Sequence, residues 1–400
     1  MTKFKKKILY LTFDGLSDPL GRSQIFPLIN NLSKKYEFNI ISFEKEIFYK
    51  EYKNSIQHTT FQKNVKHHII QYNKSKFLKF FSLLIFTQKL IKFIFFKKID
   101  LIHIRGYQSI LFLLPFTFFK NIKIIFDIRG FWPDEKVDRS NWKRFNIKFK
   151  LFKKLEHIVI SYSKAIVCLT ENSKSIIKSN FNFKKNKIFV IPTCSSQYKF
   201  NLNNKNISNN PKDYQVTNIG YLGTTSGAYN FENSIIFIKT MIENKFNIVF
   251  NIYTFDEFDK IIYFLNKYKI SPQYYNIKSI QYNDIQNYIK KNDFMIFYLN
   301  KNYSIQASFP TKISEILLCG IPIICNAFNS DIKSIIDKND FFFEFDYNDI
   351  DINKIKNFIV KINNNRNIYE KKINEFAKKN FESSISFKKY ENIYNLVLNE

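Results

Sequence analysis

Residues 307–326 carry side chains whose types and spacing suit the binding of a phosphate. The segment reads ASFPTKISEILLCGIPIICN, in which Pro310 suits the first position of a helix and Gly320 the position just past its end. The first amides of such a helix have no partner within it and carry the positive end of its dipole, so they attract anions. The segment therefore predicts a short helix whose start can bind phosphate.

Two charged side chains of this helix are predicted to share one face. Lys312 and Glu315 are three residues apart, a spacing that brings helical side chains together. An ammonium group beside a phosphate, with a carboxylate that accepts from ribose hydroxyls, would hold a nucleotide sugar, and we expect Glu315 on the exposed face of the helix start. The alternative is an ordinary solvated ion pair on a connecting helix, and the spacing alone does not separate the two interpretations.

A glycine loop rich in hydroxyl groups is a second candidate for phosphate binding. Between residues 216 and 230, three glycines surround two threonines and a serine at a predicted passage from strand to helix. The glycine spacing differs from the dinucleotide fingerprint and no acidic partner follows at the appropriate distance, which disfavours a nicotinamide enzyme. We predict that Gly223, Thr224 and Thr225 contact the phosphates.

Charged side chains also follow two successive predicted strands in the first half of the chain. Arg105 ends the run DLIHIR, and Asp127 and Arg129 stand at the same place in KIIFDIR. A single polar group at a strand end is often a cap or part of an ion pair. Because adjacent parallel strands end at the same edge of a sheet, two such groups favour a functional edge. We therefore expect Arg105 and Arg129 to converge on a cleft between domains.

The loop at residues 14–24 follows the first predicted strand, ILYLTF. Open α/β sheets bind ligands at the carboxyl ends of their strands, which is where this loop lies. Its glycines allow close approach of a ligand to the backbone, and its last side chains bring donors to a helix start. The candidate residues are Asp14, Gly15, Gly21, Arg22, Ser23 and Gln24.

Alternating apolar runs and helical stretches predict an α/β fold with doubly wound domains. Four hundred residues exceed one ordinary core and suit two domains. We predict a first domain at 1–200, an Asn-rich linker at 201–215, a second domain at 216–380 and a separate final helix at 381–400. Residues 44–74 are predicted to be a polar, solvated connection, since His58, His67 and His68 lack further metal ligands at suitable spacing.

Composition narrows the class of partner and the compartment. The net charge of +28 favours anionic partners, although a lysine-rich background contributes to it. The four cysteines form no C-x-x-C pair, which predicts buried reduced thiols and a cytoplasmic protein. The apolar run at the amino terminus is too short for a signal peptide and predicts a strand. Residues 75–98 predict an amphipathic basic helix, packed on a sheet and in peripheral contact with an anionic membrane.

Three segments resemble a known family. The pattern S-x-P-T-K-x-x-E-x-x-x-x-G-x-P at residues 308–322 resembles the donor-binding signature of family-4 glycosyltransferases of the GT-B fold, in the variant found among capsule and lipopolysaccharide enzymes. DPLGRSQ at 18–24 and FDIRGFWPDE at 126–135 resemble further segments of the same group. Two positions depart from the family: Ala307 replaces the first of two glutamates, and Arg22 replaces a glutamine.

The resemblance implies two Rossmann-like domains facing a cleft, with the last helix crossing back to the first domain. It implies transfer of a sugar, with retention, from a nucleotide sugar to a surface-glycan or lipid-linked acceptor, without a metal or other cofactor. By resemblance, Glu315 holds the ribose, and Lys312 takes over from the diphosphate-binding Arg and Lys of other members. The implied donor-binding residues are Ser308, Pro310, Thr311, Lys312, Glu315, Gly223, Thr224 and Thr225. The implied catalytic residues are Arg105, Asp127, Arg129 and Lys312, and the 14–24 loop is assigned to the acceptor.

Two other functions remain open at this level. A GT-B epimerase acting on a nucleotide sugar would share the fold and the phosphate site, and would turn over its substrate without an acceptor. A basic nucleic-acid-binding protein would explain the net charge, but no known binding module is present and we expect no nucleic-acid partner.

Overall fold

Two parallel β-sheets organise the chain, and each belongs to its own compact unit. The computed structural model describes residues 5–50, 64–72, 75–112, 122–181, 187–196, 216–281 and 284–400. The first unit comprises Met1–Thr193 and Ser383–Glu400, and the second comprises Cys194–Glu382. The predicted linker at 201–215 and His58 lie outside the described residues.

The first unit contains a seven-stranded sheet in the order β3-β2-β1-β4-β5-β6-β7. Its strands are β1 (Lys7–Thr12), β2 (Glu37–Glu44), β3 (Val65–Gln71), β4 (Leu101–Arg105), β5 (Lys123–Asp127), β6 (Ala165–Cys168) and β7 (Lys187–Val190). All pairings are parallel. Such sheets are covered on both faces, which explains why the central strands are continuous apolar runs. The strand order reverses beside β1, so β1 and β4 define the ligand-binding edge of a doubly wound fold.

Strand β3 corrects one prediction. Residues 44–74 are not only a solvated connection, because VKHHIIQ forms the edge strand beside β2. His67 and His68 lie in this strand. An edge strand is covered less completely than a central one, and most residues of β3 are only half-buried. This partial burial explains the weak apolar pattern that conceals the strand in the sequence.

Helices cover both faces of this sheet. They are α1 (Phe26–Leu32), α2 (Lys76–Ile91), α3 (Trp132–Asp138), α4 (Ile147–Tyr162) and α5 (Glu171–Phe181), and π-helical turns occupy Gly21–Ile25 and Lys92–Phe96. Helix α2 confirms the helix predicted at 75–98. On the opposite face, α1 packs in one apolar core with a helix from the end of the chain, whose Tyr390, Ile393, Tyr394 and Val397 are buried there.

The second unit contains a six-stranded parallel sheet in the order β10-β9-β8-β11-β12-β13. Its strands are β8 (Thr217–Leu222), β9 (Ile248–Tyr253), β10 (Tyr275–Lys278), β11 (Phe294–Ile296), β12 (Ile323–Cys325) and β13 (Phe342–Glu344). The connecting helices are α6 (Phe231–Glu243), α7 (Phe258–Lys267), α8 (Ile285–Ile289), α9 (Thr311–Leu318) and α10 (Ser330–Lys338). The two sheets with their helices confirm the predicted α/β, GT-B-type fold class.

Three helices occupy the region after residue 352. Helices α11 (Ile352–Asn364) and α12 (Arg366–Phe381) belong to the second unit, and α13 (Ser383–Asn399) belongs to the first. The fold-class prediction that the last helix returns to the first domain is therefore confirmed. All four cysteines are free and buried, as predicted. Within the described residues, no helix combines the length and apolarity that spanning a bilayer requires.

Gly320 fixes the junction between α9 and β12. Its φ of +75° is a left-handed conformation that glycine adopts without strain. A Cβ atom there would also lie 3.0 Å from the Glu370 carbonyl oxygen of α12. Gly320 thus follows the helix end as predicted, whereas Pro310 does not take the first helical position. It has extended backbone and caps the helix, which begins at Thr311.

Candidate functional site

Asp127 is the centre of a buried charged network at the carboxyl edge of the first sheet. It is the register partner of Arg105 on β4, and its side chain is fully buried. Nη1 of Arg105 donates to Oδ2 at 3.4 Å, and Nη1 of Arg129 lies 3.6 Å from Oδ1. Burial raises the pKa of this carboxyl group, but Arg129, His103 and Arg105 outweigh burial and hold the pKa below its usual value. Asp127 is therefore an ionised anchor for two guanidinium groups.

Gln24 joins the same two arginines from the 14–24 loop. Its Oε1 accepts from Nη2 of Arg105 at 2.5 Å and from Nη2 of Arg129 at 2.9 Å. Nη2 of Arg129 also donates to Oγ1 of Thr193 at 3.3 Å. The structure thus brings Arg105, Arg129, Asp127 and Gln24 together within the first unit. Arg105 is almost completely buried, while the side chain of Arg129 is 17% exposed and forms the more accessible part of the cluster.

Two tyrosines of α13 support this network, and the sequence gives no signal for them. The Tyr390 hydroxyl donates to Oδ2 of Asp127 at 2.8 Å. The Tyr394 hydroxyl lies 2.7 Å from Nδ1 of His103, whose Nε2 is 3.6 Å from Oδ2 of Asp127. Burial lowers the pKa of His103, which favours the neutral ring. Both tyrosines lie more than 250 residues after Asp127 in the sequence, so only the packing of α13 onto the sheet reveals them.

Glu44 organises the start of the 14–24 loop and was not among the predicted site residues. Its carboxylate accepts from the amides of Leu16 at 2.7 Å and Ser17 at 3.0 Å. It also accepts from the Ser42 hydroxyl at 2.6 Å. Burial opposes ionisation, but hydrogen bonds from His67, Ser17 and Ser42 lower the pKa of Glu44 to about 2. The available signal was its position at the carboxyl end of β2, beside the loop.

The glycines of this loop serve internal packing. A Cβ atom on Gly21 would lie 2.0 Å from the Gly15 carbonyl oxygen, and one on Gly15 would lie 2.6 Å from Oε2 of Glu44. The tight contacts require glycine at both positions even without a ligand, and close approach of a ligand to this backbone stays a prediction.

Of the remaining loop residues, Arg22 and Ser23 contact the backbone of the loop, whereas Asp14 approaches the charged network. Nε of Arg22 donates to the Ser17 carbonyl at 2.8 Å, and Oγ of Ser23 donates to the Leu20 carbonyl at 3.3 Å. These two side chains therefore help to hold the loop conformation. Asp14 differs, because its side chain is 46% exposed and Oδ2 lies 4.0 Å from Nε of Arg105.

In the second unit, Lys312 lies beneath the loop that follows β8. Its Nζ donates to the Leu222 carbonyl, and a Cβ atom on Gly223 would lie 3.3 Å from that Nζ. The nitrogen lies 3.6 Å from the centre of the Tyr229 ring and 5.0 Å from that of Tyr221, within the range of cation–π attraction. Burial lowers the pKa of Lys312 to about 7, although Glu315 opposes this change.

Burial at α9 contradicts the expectation of an exposed lysine–glutamate face. Lys312 is 7% exposed and Glu315 is 6% exposed, and every residue from 312 to 318 is buried. The polar side chains of α9 are buried together with its apolar ones, so the spacing of Lys312 and Glu315 does not mark an exposed face. Lys312 is therefore not one of the solvated surface lysines, and Glu315 does not lie on an exposed face.

The glycine loop is held at both ends. The Gly223 amide donates to the Tyr253 carbonyl at 2.9 Å, with a φ of +106°. The amide and hydroxyl of Thr225 both donate to Oδ2 of Asp256, at 2.6 and 2.7 Å. The Thr224 carbonyl accepts from the Tyr221 hydroxyl at 2.6 Å. The structure therefore brings Gly223 against Lys312, whereas the hydroxyl of Thr225 is directed to Asp256, a residue that no sequence motif indicated.

Asn329 holds the segment that precedes α9. Its Nδ2 donates to the carbonyls of Ser308 at 2.9 Å and Ile305 at 3.2 Å. Ala307 is buried in the 3₁₀ turn that ends there, so no carboxylate occupies the position of the family's first glutamate. Ser308 and Pro310 then lead directly into the first turn of α9, where Thr311 and Lys312 begin the helix.

Comparison with known proteins relates the chain to sugar-transferring enzymes. Residues 28–194 match the family model "Glycosyltransferase Family 4". No curated protein sequence matches the chain.

Solved structures extend the likeness to nearly the whole chain. Sucrose-phosphate synthase from Thermosynechococcus elongatus has a TM-score of 0.72 at 11% identity, covering 99% of this chain and 100% of that one. HepE from Anabaena, in complex with UDP and glucose, has a TM-score of 0.69 at 10% identity, covering 98% and 99%. WaaG, a glycosyltransferase involved in lipopolysaccharide biosynthesis, has a TM-score of 0.62 at 12% identity, covering 93% and 95%. At these identities the likeness establishes the fold.

The match to the first unit and the fold of both units agree with the signature around Lys312 and Glu315. Together they support a glycosyltransferase of the GT-B fold, whose similarity to family 4 extends over residues 28–194.

Proposed function

We propose that the protein transfers a sugar from a nucleoside-diphosphate sugar to a glycan or lipid-linked acceptor, with retention of the anomeric configuration. The bond between the anomeric carbon and the diphosphate oxygen breaks, and an acceptor hydroxyl oxygen bonds to that carbon and loses its proton. The observation that carries the proposal is the burial of Lys312 beside Gly223, at the first turn of α9.

Lys312 is suited to the diphosphate because its charge is poorly compensated. Its side chain is buried, and three aromatic rings and the Leu222 carbonyl lie close to its nitrogen. A diphosphate at the start of α9 would supply negative charge that the helix amides also attract. As the leaving group accumulates charge, the ammonium and the amides would stabilise it.

Glu315 is assigned to the nucleoside part of the donor. It lies one turn after Lys312 on α9. Burial lowers the pKa of Lys312 and the charge of Glu315 partly offsets this change, whereas burial and then Glu315 both raise the pKa of Tyr229. A carboxylate in this position can accept hydrogen bonds from the two ribose hydroxyls. Ser308, Pro310, Thr311, Gly223, Thr224 and Thr225 are proposed to complete the donor site through their backbone and side chains.

The charged network of the first unit is assigned to the acceptor and the reacting sugar. Arg129 and Asp14 are its more exposed members, while Asp127, Arg105 and Gln24 position them. Gly15, Gly21, Arg22 and Ser23 are proposed to shape the acceptor loop. Donor turnover is expected to need no metal or other cofactor.

We place this activity in the assembly of a bacterial surface polysaccharide, either capsule or lipopolysaccharide, on the cytoplasmic face of the inner membrane. The structural likeness to WaaG and the net charge of +28 support this placement. The charge would favour phosphorylated substrates and peripheral contact with anionic lipid.

Binding and turnover can be tested separately. Thermal shift with uridine, guanosine, adenosine and cytidine diphosphates would identify the nucleotide, and Lys312→Met should reduce the shift while the exposed Lys338→Met should preserve it. Turnover of the matching sugar nucleotides with extracted lipid-linked glycans would then be followed by NMR of the product's anomeric proton. An inverted product would refute retention, and epimerised donor formed without any acceptor would favour the epimerase alternative.

A further inference from the structure

A basic cavity lies at the amino ends of β1, β2 and β3, at the edge of the sheet opposite to Asp127. Its volume is about 330 Å³. Among the residues that the structure describes, the lining lysines are Lys7, Lys66, Lys89, Lys92 and Lys97, and Glu37 is the one lining carboxylate. Lys7 and Lys66 come from strands, while the other lysines come from α2 and the turn after it. Such an excess of positive charge around one concave site favours an anion.

The described contacts leave this charge uncompensated. No ion pair joins any of the five lysines to a carboxylate within the described residues. Nε2 of His68, which also lines the cavity, is buried and has no hydrogen-bond partner there. Burial lowers the pKa of His68, and Lys89, Lys66 and Lys92 lower it further. The helix dipole accounts for lysines near the end of α2, but not for those on β1 and β3.

The outer face of α2 beside the cavity is unusually apolar. Phe86 and Leu90 are buried against the sheet, whereas the large apolar side chains on the opposite face are exposed. Their exposed fractions include 70% for Phe77 and 59% for Phe80, and Phe96 of the π-helical turn that follows is 77% exposed. Ile85, Leu84 and Phe81 extend the same surface. Contiguous exposed apolar side chains of this size are uncommon on a monomeric protein and mark an interaction surface.

We propose that this cavity binds the phosphate of an anionic phospholipid while the exposed face of α2 enters the interfacial layer of the bilayer. The combination of large apolar side chains with flanking lysines is the arrangement that binds anionic membrane surfaces. The inference deepens the proposed peripheral membrane contact by giving it a location and a ligand. It does not depend on sugar transfer, because the cavity and the Asp127 network lie at opposite ends of the strands.

Vesicle sedimentation tests the charge requirement. The wild-type protein is expected to sediment with vesicles of phosphatidylcholine containing one third phosphatidylglycerol, and not with phosphatidylcholine alone. Lys89→Gln/Lys92→Gln should lower the partition coefficient roughly 30-fold, about fivefold for each lysine charge near the surface. Lys371→Gln/Lys378→Gln, on α12 in the second unit, is the charge-matched control and should change it less than twofold.

Two further variants separate the cavity from the surface around it. Lys66→Gln, on β3 rather than α2, should also weaken binding, and unchanged binding would overturn the cavity as the phosphate site. Phe80→Ser/Phe96→Ser should abolish sedimentation, while Phe255→Ser/Ile368→Ser, which removes exposed apolar groups of the second unit, should not.

Controls separate this inference from the proposed function and from self-association. Each variant should retain wild-type nucleoside-diphosphate binding and thermal melting, which keeps a failed membrane test distinct from a failed donor site. Equal losses of vesicle binding in Lys89→Gln/Lys92→Gln and Lys371→Gln/Lys378→Gln would show that only the net charge matters, and would overturn the proposal. The proposal would also be overturned if the wild-type protein did not bind vesicles and formed a dimer in light scattering that Phe80→Ser/Phe96→Ser converts to a monomer. The surface would then be assigned to contact with a second copy of the chain.

Discussion

The ammonium nitrogen of Lys312 lies 3.6 Å from the centre of the Tyr229 ring, and Glu315 stands one helical turn away. Lys312 therefore balances two opposing influences: burial disfavours its charge, while the ring and the carboxylate favour it. A bound diphosphate would change that balance.

Lys312→Met is predicted to weaken nucleoside-diphosphate binding by roughly 1.5–3 kcal/mol, the range for a hydrogen bond to a charged group. The same change should stabilise the ligand-free protein, because a buried charge that is only partly compensated is replaced by an apolar chain of similar length. Calorimetric titration and denaturant unfolding would measure the two effects. Undiminished affinity would remove Lys312 from the donor site, and Lys338→Met provides the exposed-lysine control.

The stability of the free protein is predicted to rise with pH between about 7 and the ordinary lysine pKa of 10.5 because of Lys312. In this interval the unfolded chain holds a proton on this amine that the folded chain has lost, so raising the pH favours folding. Below about 7 both states are protonated and this contribution is constant. The difference in unfolding free energy between wild type and Lys312→Met should therefore change by about 1.4 kcal/mol per pH unit from 7.5 to 9. A difference independent of pH would show that the folded-state pKa is not depressed.

Glu315→Gln is predicted to distinguish the nucleoside from the phosphates. If Glu315 accepts from the ribose, the variant should bind a nucleoside diphosphate more weakly but bind inorganic pyrophosphate as the wild type does. Lys312→Met should weaken both ligands. Competition titrations with the two ligands would measure this pattern, with the exposed Glu375→Gln as the control. Equal losses for both ligands in Glu315→Gln would contradict a ribose contact.

Tyr390→Phe is predicted to cost about 1–3 kcal/mol of stability, because Asp127 is left with one fewer donor inside the protein. Sugar transfer should also fall, since Arg105 and Arg129 depend on Asp127 for their positions. Nucleoside-diphosphate binding by the second unit should be unaffected. Urea unfolding, transfer rates and calorimetry would be compared with Tyr263→Phe, which removes the hydroxyl of an exposed ring. Wild-type transfer by Tyr390→Phe would argue against this positioning role.

Gly21→Ala is predicted to disturb the 14–24 loop more than Gly106→Ala disturbs its own turn. The new methyl group at 21 would meet backbone atoms of Gly15 and Leu16 at 2.0 and 2.6 Å, which cannot move independently. Gly106 has a φ of +75°, but no atom lies within 4 Å of the place where its Cβ would stand, so its change costs only conformational strain, roughly 1 kcal/mol. The unfolding free energies of the two variants would be compared, and equal losses would show that the 14–24 loop can relax around the new methyl group.

The sequence allowed the strand–loop–helix pattern to be predicted wherever a strand is buried on both faces. The apolar runs at 8–13, 165–170 and 293–299 all lie at or over observed strands. The edge strand β3 was missed because partial burial mixes polar and apolar residues along it. The sequence also predicted that Arg105 and Arg129 lie close together, because they stand at or just after the ends of adjacent parallel strands, whose carboxyl ends lie at the same edge of the sheet.

The sequence could not predict which candidate residues are buried, or which residues far along the chain contact them. Lys312 and Glu315 have the spacing of a solvated pair, and only the packing around α9 shows that both are buried. Glu44, Asp256 and Tyr390 hold the candidate residues from other elements, so no local motif includes them. Glycine is needed at position 21 because of a contact within the loop, and not because of a particular type of turn.

Helix α13 completes the core of a unit whose other elements precede residue 194. During synthesis, the ribosome must translate all of residues 194–382 before Tyr390 and Tyr394 can reach Asp127 and His103. Until then this face of the first sheet is covered by α1 but not by α13, and the Asp127 carboxylate lacks the Tyr390 hydroxyl as a donor. The second unit has no such delay, so it can finish folding before the first, reversing the usual order from amino to carboxyl terminus. The nascent first unit is accordingly the part of the chain most in need of a chaperone.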